Sequence, residues 1–222
     1  MHRRCRRLAV AAVLAATALA GGPAQAAVDL TEEEFRLYCG YLDALEQPAV
    51  AKLKGKARDK KVAAMAKVKL PTLLGAVEKG GRAGSTCDEI GKKVEGDAKA
   101  AVEGALPGRV VVFNFDDSDP AHVVAQVTWL GVDKKKVLDE ASLLAVTLAS
   151  EAKITKTIAI RAVDPGAADK LADEAMWWEG KITRPNAARI DKAKIGDYAL
   201  TRYVRLFDGC KTNVGADYCV AK

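Results

Sequence analysis

Val110-Val111-Val112-Phe113-Asn114-Phe115, followed by Val123-Val124-Ala125-Gln126-Val127-Thr128-Trp129-Leu130, is the densest run of β-branched and aromatic residues in the chain. Such residues fit a pleated, half-buried surface, so the run predicts strands near 109–115 and 122–130. Between them stand Asp116-Asp117-Ser118-Asp119-Pro120-Ala121, a turn-forming segment that closes the strands into an antiparallel hairpin. Downstream, Asp133 is placed to cap a helix in which Val137, Ala141, Leu144 and Leu148 recur at heptad-like spacing, with Leu138, Ala145 and Ala149 widening the apolar stripe. Ile154, Ile158, Ile160 and Ala162 then mark a third strand between Thr155 and Val163. A sheet and one broad apolar helix to lay on it make this the unit on which the rest packs.

Beyond Asp164-Pro165-Gly166, the spacing of Ala168, Leu171, Ala175 and Trp178 predicts a further helix. Ile190, Ala193 and Ile195 suggest a short strand, and Asp197 to Asp208 a longer one with Tyr198, Leu200, Val204 and Leu206 on one side. The C-terminal part therefore reads β-β-α-β-α-β-β, an α+β domain over 106–222 whose mixed or antiparallel sheet carries helices on one face.

Upstream of the hairpin the pattern is helical. Thr31-Glu32-Glu33-Glu34 is a capping box with acids suited to the helix dipole, and Phe35, Tyr38, Leu42 and Leu45 form an apolar stripe up to Pro48. Lys52 to Lys69 holds eight basic residues against the single acid Asp59, with a helix expected from about Asp59. Pro71 interrupts it, and a short helix from Thr72 to Lys79 follows. Thr86-Cys87-Asp88-Glu89 is a second capping box, opening a helix with Ile90, Val94, Ala98, Ala101 and Val102 on its apolar side. These helices make up an N-terminal subdomain over 27–105.

The extreme N-terminus has another character. Arg3, Arg4, Arg6 and Arg7 precede an apolar run from Leu8 to Ala20, and a small-residue stretch ends in Ala24-Gln25-Ala26. That is the pattern of a secretory signal peptide over 1–26, too short in its apolar part to span a bilayer. Cleavage after Ala26 takes away four of the 35 basic residues and none of the 29 acidic ones, so the net charge falls from +6 to +2. The compositional case for nucleic-acid binding goes with it. No second long apolar run follows, so no transmembrane segment is expected in the processed chain.

Cys39, Cys87, Cys210 and Cys219 remain, an even number in an exported chain, and so read as disulfides. Cys210 and Cys219 are close enough in sequence to pair locally, which leaves Cys39 with Cys87. The chain-entropy argument gives the longer loop about 4 kcal/mol and the shorter about 2.7 kcal/mol as upper-end figures. No close Cys-x-x-Cys pair exists and His122 is the one histidine after Ala26, so a zinc site is not built.

The same inventory limits catalysis. No serine sits in a Gly-x-Ser-x-Gly setting, and the thiols are paired. The weak metal candidates are Asp116, Asp117, Asp119 and His122, oxygen-rich but without the glycine and distal glutamate of an EF-hand. Binding candidates are the exposed cations Lys54, Lys56, Lys60 and Lys61, suited to an anionic surface, and Trp177, set by the helical phase among Lys170, Asp173 and Glu174. The expected function is that of an exported, non-enzymatic protein of a bacterial envelope, periplasmic or extracellular, acting through contacts with an envelope protein or an anionic surface. Nothing in the sequence calls for a cofactor. Two alternatives stand beside it: a small-molecule or polymer-binding module using the sheet face or the groove between subdomains, and a hydrolase with a carboxylate pair.

Overall fold

A computed structural model describes residues 29–84, 86–119, 122–196 and 203–219 of the chain. The expected signal peptide over 1–26, Ser85, Pro120 and Ala121, and the first half of the strand expected from Asp197 lie outside the described residues. The N-terminal part is helical: α1 (Glu32–Glu46), α2 (Pro48–Ala51), α3 (Gly55–Met65), α4 (Leu70–Ala83) and α5 (Cys87–Ala105). There follow β1 (Val110–Asp116), β2 (Val124–Leu130), α6 (Val137–Glu151), β3 (Thr157–Val163), β4 (Met176–Thr183), the single-turn α7 (Arg184–Ala187) and β5 (Asp208–Thr212). The architecture is α+β, as expected from the sequence.

The helix starts follow the local chemistry. Thr31 and Thr86 each accept a hydrogen bond from the backbone N–H three residues on, while Glu34 and Glu89 reach back to the cap N–H groups. In α3 and α4 the boundaries differ from expectation. The chain turns at Lys67, which takes a positive φ of 55°, and Pro71 sits in the first turn of α4, where its missing N–H costs nothing. The basic segment is thus split between α3 and the start of α4.

The five strands lie side by side in chain order. β1 and β2 pair antiparallel, with Phe113 opposite Val127 and Phe115 opposite Ala125. β2 and β3 are parallel, and α6 supplies the crossover that parallel neighbours require. β4 is antiparallel to β3, and β5 to β4. Ala125, Val127, Trp129, Ile158, Ile160, Ala162, Trp178 and Ile182 are buried in one core with Val137, Leu138, Ala141, Leu144, Ala145 and Leu148 of α6. The opposite sheet face is polar, with Gln126, Thr128, Arg161, Glu179 and Lys181 around a shallow groove.

The helix expected over Ala168–Trp178 is instead a short 3-10 turn, Asp173–Ala175, running into β4. Leu171, Ala175 and Trp178 fit a helical spacing, but Met176, Trp178, Gly180 and Ile182 also fit a two-residue period, and β3 offers that segment a ladder of hydrogen bonds. Gly180 decides the fit: a Cβ there would lie 2.7 Å from the Trp178 ring. The strand expected at Ile190–Ile195 is a 3-10 turn, Lys192–Lys194, and Val204–Leu206 is another, so the last strand is β5, which runs through Cys210 into the terminal disulfide loop. The order is therefore β-β-α-β-β-α-β rather than β-β-α-β-α-β-β.

The helical part and the sheet part share α5. Its Ile90 and Val94 pack with Leu30, Tyr38 and Ile154, while its Ala98 and Val102 belong to the sheet core. A third cluster, Leu37, Tyr41, Ala44, Val50, Val62, Ala63, Leu73 and Ala76, holds α1 to α4 together. The buried face of α1 is Leu37, Tyr38, Tyr41 and Ala44, rotated from the expected Phe35-Leu42-Leu45 stripe because α4 and α5 cover it on two sides. Phe35 is left half-buried. Disulfides close between Cys39 and Cys87, with Cα atoms 5.8 Å apart, and between Cys210 and Cys219, 5.6 Å apart.

One polar cluster sits within the apolar layer. The Arg109 guanidinium donates to both carboxylate oxygens of Glu140, at 2.8 and 2.6 Å, and also to the Leu130 carbonyl, while Trp129 Nε1 donates to Glu140 at 2.8 Å. Glu140 is 8% exposed. Removing one partner of such a pair leaves a buried charge uncompensated, which is far worse than losing both. Glu140→Ala is therefore expected to cost about 3 kcal/mol or more in a denaturant melt, and Arg109→Leu combined with Glu140→Leu less than that single change. A double variant as unstable as the sum of its singles would show that the pair is not coupled.

Candidate functional site

Three surfaces hold candidate chemistry. The first is α3 with its flanks. Val62 and Ala63 turn inward and are buried, which leaves Lys56, Lys60 and Lys61 around the outward Ala57, Ala64 and Met65. Lys52, Lys54, Lys67 and Lys69 extend the exposed array, and no member of it makes a salt bridge with a described residue. The exception in the segment is Arg58, whose Nε lies 3.2 Å from Asp59 and whose guanidinium stacks over Tyr41. Tyr41 donates its own hydrogen bond to Asp59, and burial and that carboxylate push its pKa up. The single acid of the segment is thus spent on the tyrosine and the arginine.

The second surface is a cleft of about 680 Å³ between α1, α5 and the β1–β2 end of the sheet, within the size range of small-molecule sites. Its apolar surface comes from Phe35, Phe115, Val123 and Ile154, with the Cys39–Cys87 bridge between the helices. Arg36, Asp43, Asp88, Lys92 and Asp117 stand exposed around it, and Glu95 is half-buried. Glu95 Oε1 accepts from the Phe115 N–H at 3.0 Å, a bond that ties α5 to β1.

The third is the uncovered sheet face, where Arg161 donates to the Ala172 carbonyl and to Asp173 beside a groove of about 290 Å³. The described residues of this face hold their charges largely in pairs, including Lys211 with Glu179 at 2.8 Å.

The metal candidates are dispersed by local bonding. Asp116 accepts from the Ser118 N–H and from Gln126 Nε2, and the Ser118 hydroxyl and N–H hold its carboxyl below the usual range. His122 Nε2 lies 3.0 Å from the Thr157 hydroxyl. Asp117 lines the cleft, and no group of three or more metal-ligating side chains forms among the described residues. Glu34, bonded to Lys79 and the Thr31 cap, is likewise lowered. Both shifted carboxyls move away from the raised pKa that a general acid needs.

Trp177 sits on β4 rather than on a charged helix face. The β3–β4 register slips between Ala162–Trp178 and Val163–Met176, making Trp177 the extra residue of a bulge. Its ring lies against Gly131, where a Cβ would come within 2.5 Å, and Lys134 Nζ is 5.3 Å from its centroid. Trp178 is fully buried, stacks edge-on against Phe207 and donates to the Tyr218 carbonyl at 2.9 Å. The groove between the subdomains was among the sequence-based alternatives, but none of its lining residues could be named, since its walls come from segments far apart in the chain. Sequence reasoning also missed Arg109 and Glu140, for which the sequence carries no local signal.

Trp178→Ala is expected to destabilise the fold by about 3–5 kcal/mol as a core truncation, and Trp177→Ala by less, because part of its ring faces solvent. Gly131→Ala should disturb the Trp177 ring and quench or shift its fluorescence. Equal losses for the two tryptophan variants in denaturant melts would refute the distinction. Set against known proteins, the chain matches no family model, no curated protein and no solved structure.

Proposed function

We propose that this is an exported, non-catalytic envelope protein that attaches electrostatically to an anionic lipid surface through α3 and its flanks. The observation that carries the reading is the array of seven exposed lysines, Lys52, Lys54, Lys56, Lys60, Lys61, Lys67 and Lys69, none in a salt bridge with a described residue. Like charges held close on a rigid helix repel one another and so destabilise the isolated protein. An anionic surface relieves that repulsion, at about 1 kcal/mol per lysine near the surface.

The attachment is peripheral. Val62 and Ala63 of α3 are already buried in the protein's own core, and the apolar residues facing outward among the lysines are Ala57, Ala64 and the single large side chain Met65, too little apolar surface to insert. No helix among the described residues is long and apolar enough to cross a membrane. Two disulfides suit an oxidising compartment, which supports export.

Two measurements test the reading. Binding to vesicles containing anionic lipid should weaken roughly tenfold or more between low and physiological salt, and should vanish when Lys54, Lys56, Lys60 and Lys61 are replaced by Glu. Binding that survives the charge reversal would overturn the role of α3. Mass spectrometry of protein recovered from outside the cytoplasm should give a chain beginning at Ala27, and recovery of the intact chain in the cytoplasm alone would overturn export.

A further inference from the structure

We propose that the cleft between α1, α5 and the β1–β2 end of the sheet binds a small amphipathic cation, an apolar body ending in an ammonium or guanidinium group. Shape and chemistry both select this class. The cleft of about 680 Å³ has Phe35, Phe115, Val123 and Ile154 on its apolar surface, enough to desolvate an alkyl or aromatic body. Around that surface stand Asp43, Asp88, Glu95 and Asp117 against Arg36 and Lys92, an excess of negative charge. Neither Asp43, Asp88 nor Asp117 is in a salt bridge or hydrogen bond with a described side chain.

Glu95 is the anchor. Its Oε1 is held by the Phe115 N–H at 3.0 Å, so the carboxylate is fixed beside the apolar surface rather than swinging in solvent. Its Oε2 has no partner among the described residues, and the residue is half-buried. A partly desolvated carboxylate oxygen gains from a cation and loses from an anion. The Cys39–Cys87 bridge holds the two helical walls together, so the site is preformed in the unliganded protein. The walls have room as well. A Cβ at Gly40 of α1 or Gly91 of α5 would meet nothing within 4 Å, whereas one at Gly80 would strike the Tyr38 ring at 2.2 Å. Gly75, Gly81, Gly96 and Gly104 are equally open, so the glycines do not identify the ligand, but Gly91 lines the cleft and a Cβ there enters open space, which makes it a position from which to fill the cleft.

The experiment uses decylammonium and decanoate, which share an apolar body and differ in charge, each below its micelle concentration and titrated calorimetrically into the purified protein. Decylammonium should bind, and decanoate roughly tenfold more weakly or worse. Glu95→Gln, which keeps an acceptor for the Phe115 N–H, should lose most of that preference, and Gly91→Leu, which favours the helix, should abolish binding of both while melting no lower than the unmodified protein. Equal affinity for the two probes, binding unaffected by both substitutions, or no binding of decylammonium would each overturn the proposal. The variant with four α3 lysines changed to Glu should bind decylammonium like the unmodified protein, since no residue of that segment lines the cleft. The two readings therefore fail separately.

Discussion

The bidentate pair of Arg109 and Glu140 is the constraint on which the sheet and its covering helix both depend. Arg109 immediately precedes β1, Glu140 lies in the first turn of α6, and Trp129 near the end of β2 donates to the same carboxylate. A charge this deeply placed is tolerated only when every lone pair is used, so the three elements can meet in one register. Arg109 also bonds the Leu130 carbonyl, which closes the end of the hairpin. Slip the hairpin by one residue, and Trp129 would leave the core for the polar face.

From that clasp the rest of the molecule is built outward along α5. Its C-terminal half lies on α6 and its N-terminal half packs on α1, so one rigid rod of 19 residues belongs to two cores. The disulfide from Cys87 at its start to Cys39 of α1 pins the far end. A cleft follows from this geometry, because α1 meets the rod at one end while the sheet meets it at the other, and the space between them is bordered by side chains of all three.

Charge is distributed unevenly over this frame. The lysines of α3 and its flanks project from the helical part, whereas the carboxylates of the cleft lie where that part meets the sheet. Interactions between such exposed charges are largely screened beyond a Debye length of about 8 Å at physiological salt. The polar face of the sheet contrasts with both, Arg161 being tied to Asp173 and Lys211 to Glu179.

Much of this was legible in the residues alone. Period-two alternation and β-branching located β1, β2 and β3; the apolar repeat located α6, whose stripe is buried throughout; and Thr-x-x-Glu boxes located the starts of α1 and α5. The exposed lysines of α3 were likewise visible, since charge has no need of a partner to declare itself. Met176–Thr183 was not: its tryptophans satisfy a helical and a strand period together, and only the open edge of β3, with room at Gly180 for the Trp178 ring, decides between them. The residues that line the cleft and the Arg109–Glu140 pair were equally hidden, although a groove between the subdomains was expected as one alternative. Both arise between segments 20 or more residues apart, where no local pattern encodes proximity and packing alone brings the groups together.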